Sequence, residues 1–141
     1  MVSSNFDECV EQFQQALGRF FDGDPEPCKR WMSRREDVTL ANPFGPIARG
    51  WGKVNEAMDR AGLNYRDGSA TGFEEATRTG TSELAYTVWV ERFTTRVDDR
   101  QISGALRRTT IYRPESGSWR VVHTHADPIT TPRGADSLIP R

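Results

Sequence analysis

The two histidines of this 141-residue chain stand two residues apart, in Trp119-Arg-Val-Val-His-Thr-His-Ala-Asp127. The segment alternates as a β-strand does, and on a strand side chains at i and i+2 point to one face. Trp119, Val121, His123, His125 and Asp127 are therefore expected to line one face together. Imidazole titrates near neutrality, which suits general acid–base chemistry. Asp127, or a neighbouring carboxylate such as Glu91, would orient one ring. Arg107, on the preceding strand, would hold a carboxylate or enolate oxygen. His123, His125, Arg107 and Asp127 are the candidate catalytic set. A structural role stands beside that reading, because a buried imidazole needs a hydrogen-bond partner whether or not it catalyses. Alternation groups these residues without saying which face meets a cavity.

Other chemistry is thinner. A zinc site needs three or four ligands, and the chain has no further histidine. No metal and no cofactor are expected. Gly45 and Gly50 read as turn glycines rather than a phosphate loop, and no Gly-x-Ser-x-Gly elbow occurs. Arg107 and Arg108 face opposite ways on a strand and form no basic stripe, and the formal net charge is −1. A nucleic-acid partner is not expected.

The elements that position these residues fall into two halves. Phe6, Cys9, Val10, Phe13, Leu17, Phe20 and Phe21 recur at helical spacing from Ser4, a candidate cap, with Asp7 three residues on; Gly23 ends the helix. Asp24-Pro25 opens a short second helix with Cys28, Trp31 and Met32 on its apolar face. Asp37–Ala41 reads as a brief strand, and Asn42-Pro-Phe-Gly-Pro46 as a loop that cannot continue a ladder. A third helix runs from about Trp51 to Leu63, closed by Gly62 and Asp67-Gly68. Strands then cover Gly72–Thr79, Glu83–Val97, Ile102–Tyr112 and Trp119–Ala126, turned at Asp98-Asp99 and at Pro114–Gly117. Short connections between long strands imply an antiparallel meander. Helices first and strands afterwards imply an α+β fold: a curved antiparallel sheet wrapped around three N-terminal helices, a half-cone with an internal pocket. One domain is expected over residues 1–128, and a loosely held tail over 129–141.

Composition bounds the rest. Apolar residues make up 35% of the chain and mean hydropathy is −0.69, so a solvated Arg/Glu shell or a partner chain must complete a compact core. No apolar run approaches the roughly 20 residues of a membrane span. The N-terminus lacks the basic and apolar regions of a signal peptide. A cytoplasmic protein without a membrane partner is expected, with Cys9 and Cys28 as buried reduced thiols.

Three strings carry a family resemblance: Arg35-Glu-Asp-Val-Thr-Leu-Ala-Asn-Pro-Phe-Gly45, Arg49-Gly-Trp51 before a helix, and Leu106-Arg-Arg-Thr-Thr-Ile-Tyr-Arg113, a turn, then Trp119 to His125. Over residues 4–128 the chain resembles the nuclear transport factor 2-like (SnoaL-like, cystatin-like cone) superfamily, with bacterial ketosteroid-isomerase homologues nearest. The closing hairpin also resembles the association domain of calcium/calmodulin-dependent kinase II. The resemblance implies the cone fold and a homodimer packed through the sheets, and no single chemistry. Ketosteroid isomerases of this topology place an Asp base where this chain has Asn42, and an amide cannot take a proton at neutral pH. Ala16 stands where their helix-one Tyr donates, and Thr109 falls near their neutral Asp. That mechanism is not expected.

Trp31, Phe44 and Trp51 surround the Asn42–Gly50 loop, which in such a fold rims the cavity mouth. With Asn42 as a polar anchor, and Met58, Tyr86 and Thr109 completing the lining, the pocket would suit a small apolar or aromatic organic ligand. Two functions remain open: acid–base isomerase, cyclase or hydratase chemistry on a carbonyl-type metabolite, or a non-catalytic ligand-binding or dimerisation module.

Overall fold

The structure, a computed structural model, describes residues 4–140. The expected Ser4 cap lies outside the described side chains, as does Arg141 of the tail. The chain runs α1 (Ser4–Phe20), α2 (Glu26–Trp31), β1 (Thr39–Asn42), β2 (Gly45–Arg49), α3 (Trp51–Gly62), β3 (Arg66–Gly80), β4 (Ala85–Val97), β5 (Arg100–Glu115) and β6 (Ser118–Asp127), then a 3₁₀ turn at Ala135–Leu138. Six strands form one curved sheet in the order β2-β1-β6-β5-β4-β3.

α1 forms because its apolar residues fall on one stripe, and that stripe is buried: Phe6, Val10 and Phe13 are no more than 1% exposed. Each such side chain contributes roughly 1.5–3 kcal/mol relative to an exposed one. Asp24 stabilises the start of α2 as expected, its Oδ1 accepting the Glu26 N–H at 3.1 Å, although Pro25 holds the cap position itself. Gly50 enters α3 with φ +82, a conformation that favours glycine, and its N–H donates to the Val38 carbonyl at 2.8 Å.

β3 to β6 form the expected antiparallel meander. The tight turn between β4 and β5 puts Asp98 and Asp99 at positive φ, and that between β5 and β6 does so for Ser116 and Gly117, the backbone hand that suits a two-residue hairpin. Two features depart from expectation. The sheet is mixed, since β1 pairs parallel to β6. The Asn42–Pro46 stretch does not end pairing either: the chain turns at Pro43-Phe44 and returns as β2 against β1. Pro46 is tolerated there because β2 is an edge strand, where a missing N–H breaks no ladder.

A third departure decides the site. A bulge in β6 inserts Val122, so that Tyr112 pairs with Val121 but Ile111 pairs with His123. The extra residue switches the alternation. Trp119 and Val121 face the helices, 7% and 0% exposed, and Thr124 and Ala126 face them afterwards, each 2% exposed. His123, His125 and Asp127 are turned to the outer face. The expected single face from Trp119 to Asp127 is therefore split in two.

Candidate ligand pocket

The inner face of β1, β5 and β6 and the helices α1 and α3 enclose a cavity of about 50 Å³. Its walls are apolar: Phe13, Leu17, Phe21, Leu40, Met58 and Leu106. Tyr65, which follows α3, packs edge-on against Phe20, Phe21, Phe93 and Phe44, with ring centroids 5.5–6.2 Å apart. Phe44 closes the mouth and is 51% exposed. Asn42 beside it accepts the Phe44 N–H on Oδ1 at 2.9 Å, which folds the β1–β2 turn over the opening.

One charge stands in this apolar wall. Arg108 on β5 reaches the cavity with a side chain only 10% exposed. Its Nε and Nη2 donate to the two oxygens of Glu91, at 2.7 and 2.9 Å, and Nη1 donates to Thr124 Oγ1 at 2.9 Å. Glu91, fully buried on β4, also accepts from Trp89 Nε1 at 2.8 Å. Guanidinium carries five N–H donors, so two are left beyond these three bonds. Charge-assisted, bidentate pairing of this kind fixes the plane of the group.

The remaining polar groups are neutral. Burial pushes the Tyr65 phenol up to about 12, with Arg108 pulling the other way. Its hydroxyl has no hydrogen-bond partner among the described residues, although it lines the same cavity and feels both Arg108 and Glu91. Burial likewise drives the Cys28 thiol far above its ordinary value, so it is no nucleophile. Cys9 and Cys28 are both free and buried, as expected.

The residues expected to do chemistry lie elsewhere. Thr39 Oγ1 and His123 Nδ1 are 2.7 Å apart. His125 Nε2 is 3.6 Å from Asp127 Oδ2, and Arg107 Nε donates to Asp127 Oδ1 at 2.6 Å. Arg107, Thr109, His125 and Asp127 border a shallow groove on the outer face with Val88. Burial lowers the His123 pKa, and His125 adds to the effect. Glu91 orients no imidazole, because it is on the inner face with Arg108. Of the expected lining, Asn42, Phe44 and Met58 do border the cavity. Trp31 and Trp51 pack at the edge of the core, and Trp51 carries the Arg34 guanidinium 3.7 Å above its ring. Tyr86, 43% exposed, and Thr109 belong to the outer face. Arg108 and Tyr65 were not among the expected residues. The signal for Arg108 was present: Leu106, Thr110 and Tyr112 share its parity, and Glu91 interrupts the inward series Trp89, Phe93.

Among the described residues no three His, Cys, Asp or Glu side chains are arranged to hold a metal, and no helix is long and apolar enough to cross a membrane.

No protein-family model and no curated protein matches the sequence. Solved structures do match. A ketosteroid isomerase-like protein from Erwinia carotovora atroseptica aligns with a TM-score of 0.73 at 15% identity, over 89% of this chain and 94% of its own. A candidate dehydratase of the NTF2-like family from Streptomyces avermitilis gives 0.71 at 17%, over 91% and 96%. A candidate calcium/calmodulin-dependent protein kinase type II association domain from Thiobacillus denitrificans gives 0.69 at 18%, over 88% and 94%. The chain has the NTF2-like, cystatin-like fold.

Proposed function

We propose that this chain binds a small apolar carbonyl compound, with the carbonyl oxygen seated on Arg108. The observation that carries the reading is a buried guanidinium, already balanced by Glu91, with donors to spare in an apolar cavity. A carboxylate ligand would add an uncompensated buried charge, which is costly. A ketone, ester or amide oxygen accepts the same bonds without that cost. The Tyr65 hydroxyl supplies a further neutral donor in the same wall.

The cavity is about a third of the roughly 150 Å³ apolar cavity that admits benzene. It takes the carbonyl end of a ligand, whose body extends past Phe44 into the open cleft bordered by Pro46, Ala57, Arg60 and Asn64. Binding rather than catalysis is favoured because no group in the cavity is free to take a proton. Glu91 is occupied by three donors, and the histidines are on the opposite face of the sheet.

The test is ligand-observed NMR with a size-matched apolar ketone, alcohol, carboxylate and hydrocarbon. The ketone should bind best, and Ala126→Leu, which fills the cavity from β6, should abolish its binding. Preference for the carboxylate, or unchanged binding by Ala126→Leu, would overturn the reading.

The outer face supports a homodimer. Tyr86 is exposed there, with Val88, Val90 and Ile111 half-buried around it, an apolar centre rimmed by charge. Sedimentation velocity should show a dimer that Val90→Glu converts to monomer.

A further inference from the structure

Beside the C-terminal end of α2, four arginines and one glutamate border a shallow cleft: Arg30, Arg34, Arg35, Arg120 and Glu115. The chain as a whole carries a formal net charge of −1, so this is a local concentration of positive charge. We propose that the cleft binds a phosphoryl group, of free phosphate or of a phosphate monoester, held by Arg30, Arg34 and Arg120.

Two observations converge. The first is that these arginines have no carboxylate of their own. None of Arg30, Arg34 and Arg120 makes an ion pair among the described residues. Glu115 is the acid of the cleft, and its Oε2 accepts from Arg113 Nε at 2.8 Å and Ser33 Oγ at 2.8 Å, with Arg35 Nε at 3.7 Å. Glu26, the nearest acid on α2, pairs with Lys29 at 2.8 Å.

The second is that two of the guanidinium groups are pinned, not free to swing apart. Arg34 stacks on Trp51 and donates Nη2 to the Lys29 carbonyl at 3.1 Å. Arg120 donates Nη1 to the Arg30 carbonyl. Both bonds tie an arginine to the last turn of α2, so the two charges are held near each other. Burial and then the Arg120 charge hold Arg34 below its ordinary pKa, with Glu26 only partly opposing them. Repulsion held in place by structure is relieved by an anion seated between the groups. Planar guanidinium forks are well shaped for phosphate oxygens.

This site is independent of the carbonyl cavity, since the two share only Met32 among their bordering residues.

Isothermal titration of the full chain with phenyl phosphate, inorganic phosphate and sodium chloride at matched ionic strength tests the proposal. Phosphate binding should be saturable; phenyl phosphate at least fivefold tighter than inorganic phosphate assigns an ester, and anything less assigns the free ion. Arg34→Gln and Arg120→Gln should each weaken binding tenfold or more, and Arg30→Gln, an exposed position whose loss threatens no packing, should weaken it severalfold. Arg92→Gln, on the outer face with Glu74, should leave it unchanged. A response that sodium chloride reproduces, or that survives all three cleft variants, overturns the site.

Discussion

Arg108 and Glu91 meet through two parallel hydrogen bonds inside the sheet-to-helix core, one partner 10% exposed and the other not at all. Such a pair is strong only while complete. Removing one member leaves an unpaired buried charge and costs on the order of 3–5 kcal/mol, whereas apolar replacement of both is often neutral. Arg108→Met and Glu91→Leu should each lower stability by about that amount in urea unfolding. The double variant should recover most of the loss and still fail to bind the ketone. Additive losses in the double variant would show that the pair acts through something other than mutual charge.

Phe44 separates the cavity from the cleft outside it, and half its surface is already in water. Its one close aromatic neighbour among the described residues is Tyr65 at 5.9 Å, a contact of about 0.5–1.5 kcal/mol. Phe44→Ala should therefore cost only about 1–2 kcal/mol of stability, while speeding ligand exchange several-fold in NMR line-shape measurements. Exchange rates unchanged by the substitution would place the entry elsewhere.

How far these residues could be read from the sequence differs by element. α1 and α3 were legible because apolar residues at helical spacing leave little choice of face. β4 to β6 were legible from alternation and turn residues. β2 was not, because Pro43 and Pro46 read as breaks, and only its place at the sheet edge makes Pro46 acceptable. The histidine face was misread for a different reason. Alternation assumes one residue per pleat, and the Val122 bulge leaves no mark in residue type. Arg107 and Arg108 were rightly placed on opposite faces. Which of them is inside follows only from the parity of Leu106, Thr110 and Tyr112 on the same strand.

Glycine substitutions give a test of the sheet geometry that involves no ligand. A Cβ on Gly68 would lie 2.2 Å from the Phe21 carbonyl oxygen and 2.5 Å from that of Thr94. Both are backbone atoms that cannot step aside. A Cβ on Gly72, in the same strand, meets nothing within 4 Å. Gly68→Ala should destabilise strongly, by about 2 kcal/mol or more, as overpacking against fixed atoms does. Gly72→Ala should be neutral or slightly stabilising, by up to about 1 kcal/mol. Thermal unfolding of the two variants side by side distinguishes them, and equal midpoints would contradict the β3–β4 register.

His123 sets a pH dependence whose sign follows from its surroundings. Burial, with the neighbouring His125, lowers its pKa in the folded chain below the ordinary 6.5. The unfolded chain then binds the proton more readily than the folded one, so stability rises with pH across this window. The contribution is fully present above the unfolded value near 6.5 and is lost as pH falls from there through the folded value. Carboxylates titrate lower, around 4, so pH 7.5 and 5.5 bracket the effect cleanly. Urea midpoints should be lower at pH 5.5 for the natural chain. His123→Gln keeps a polar partner for Thr39 and removes the titration, so its midpoint should change less between the two pH values. A variant that loses as much stability on acidification as the natural chain would assign the titration to another group.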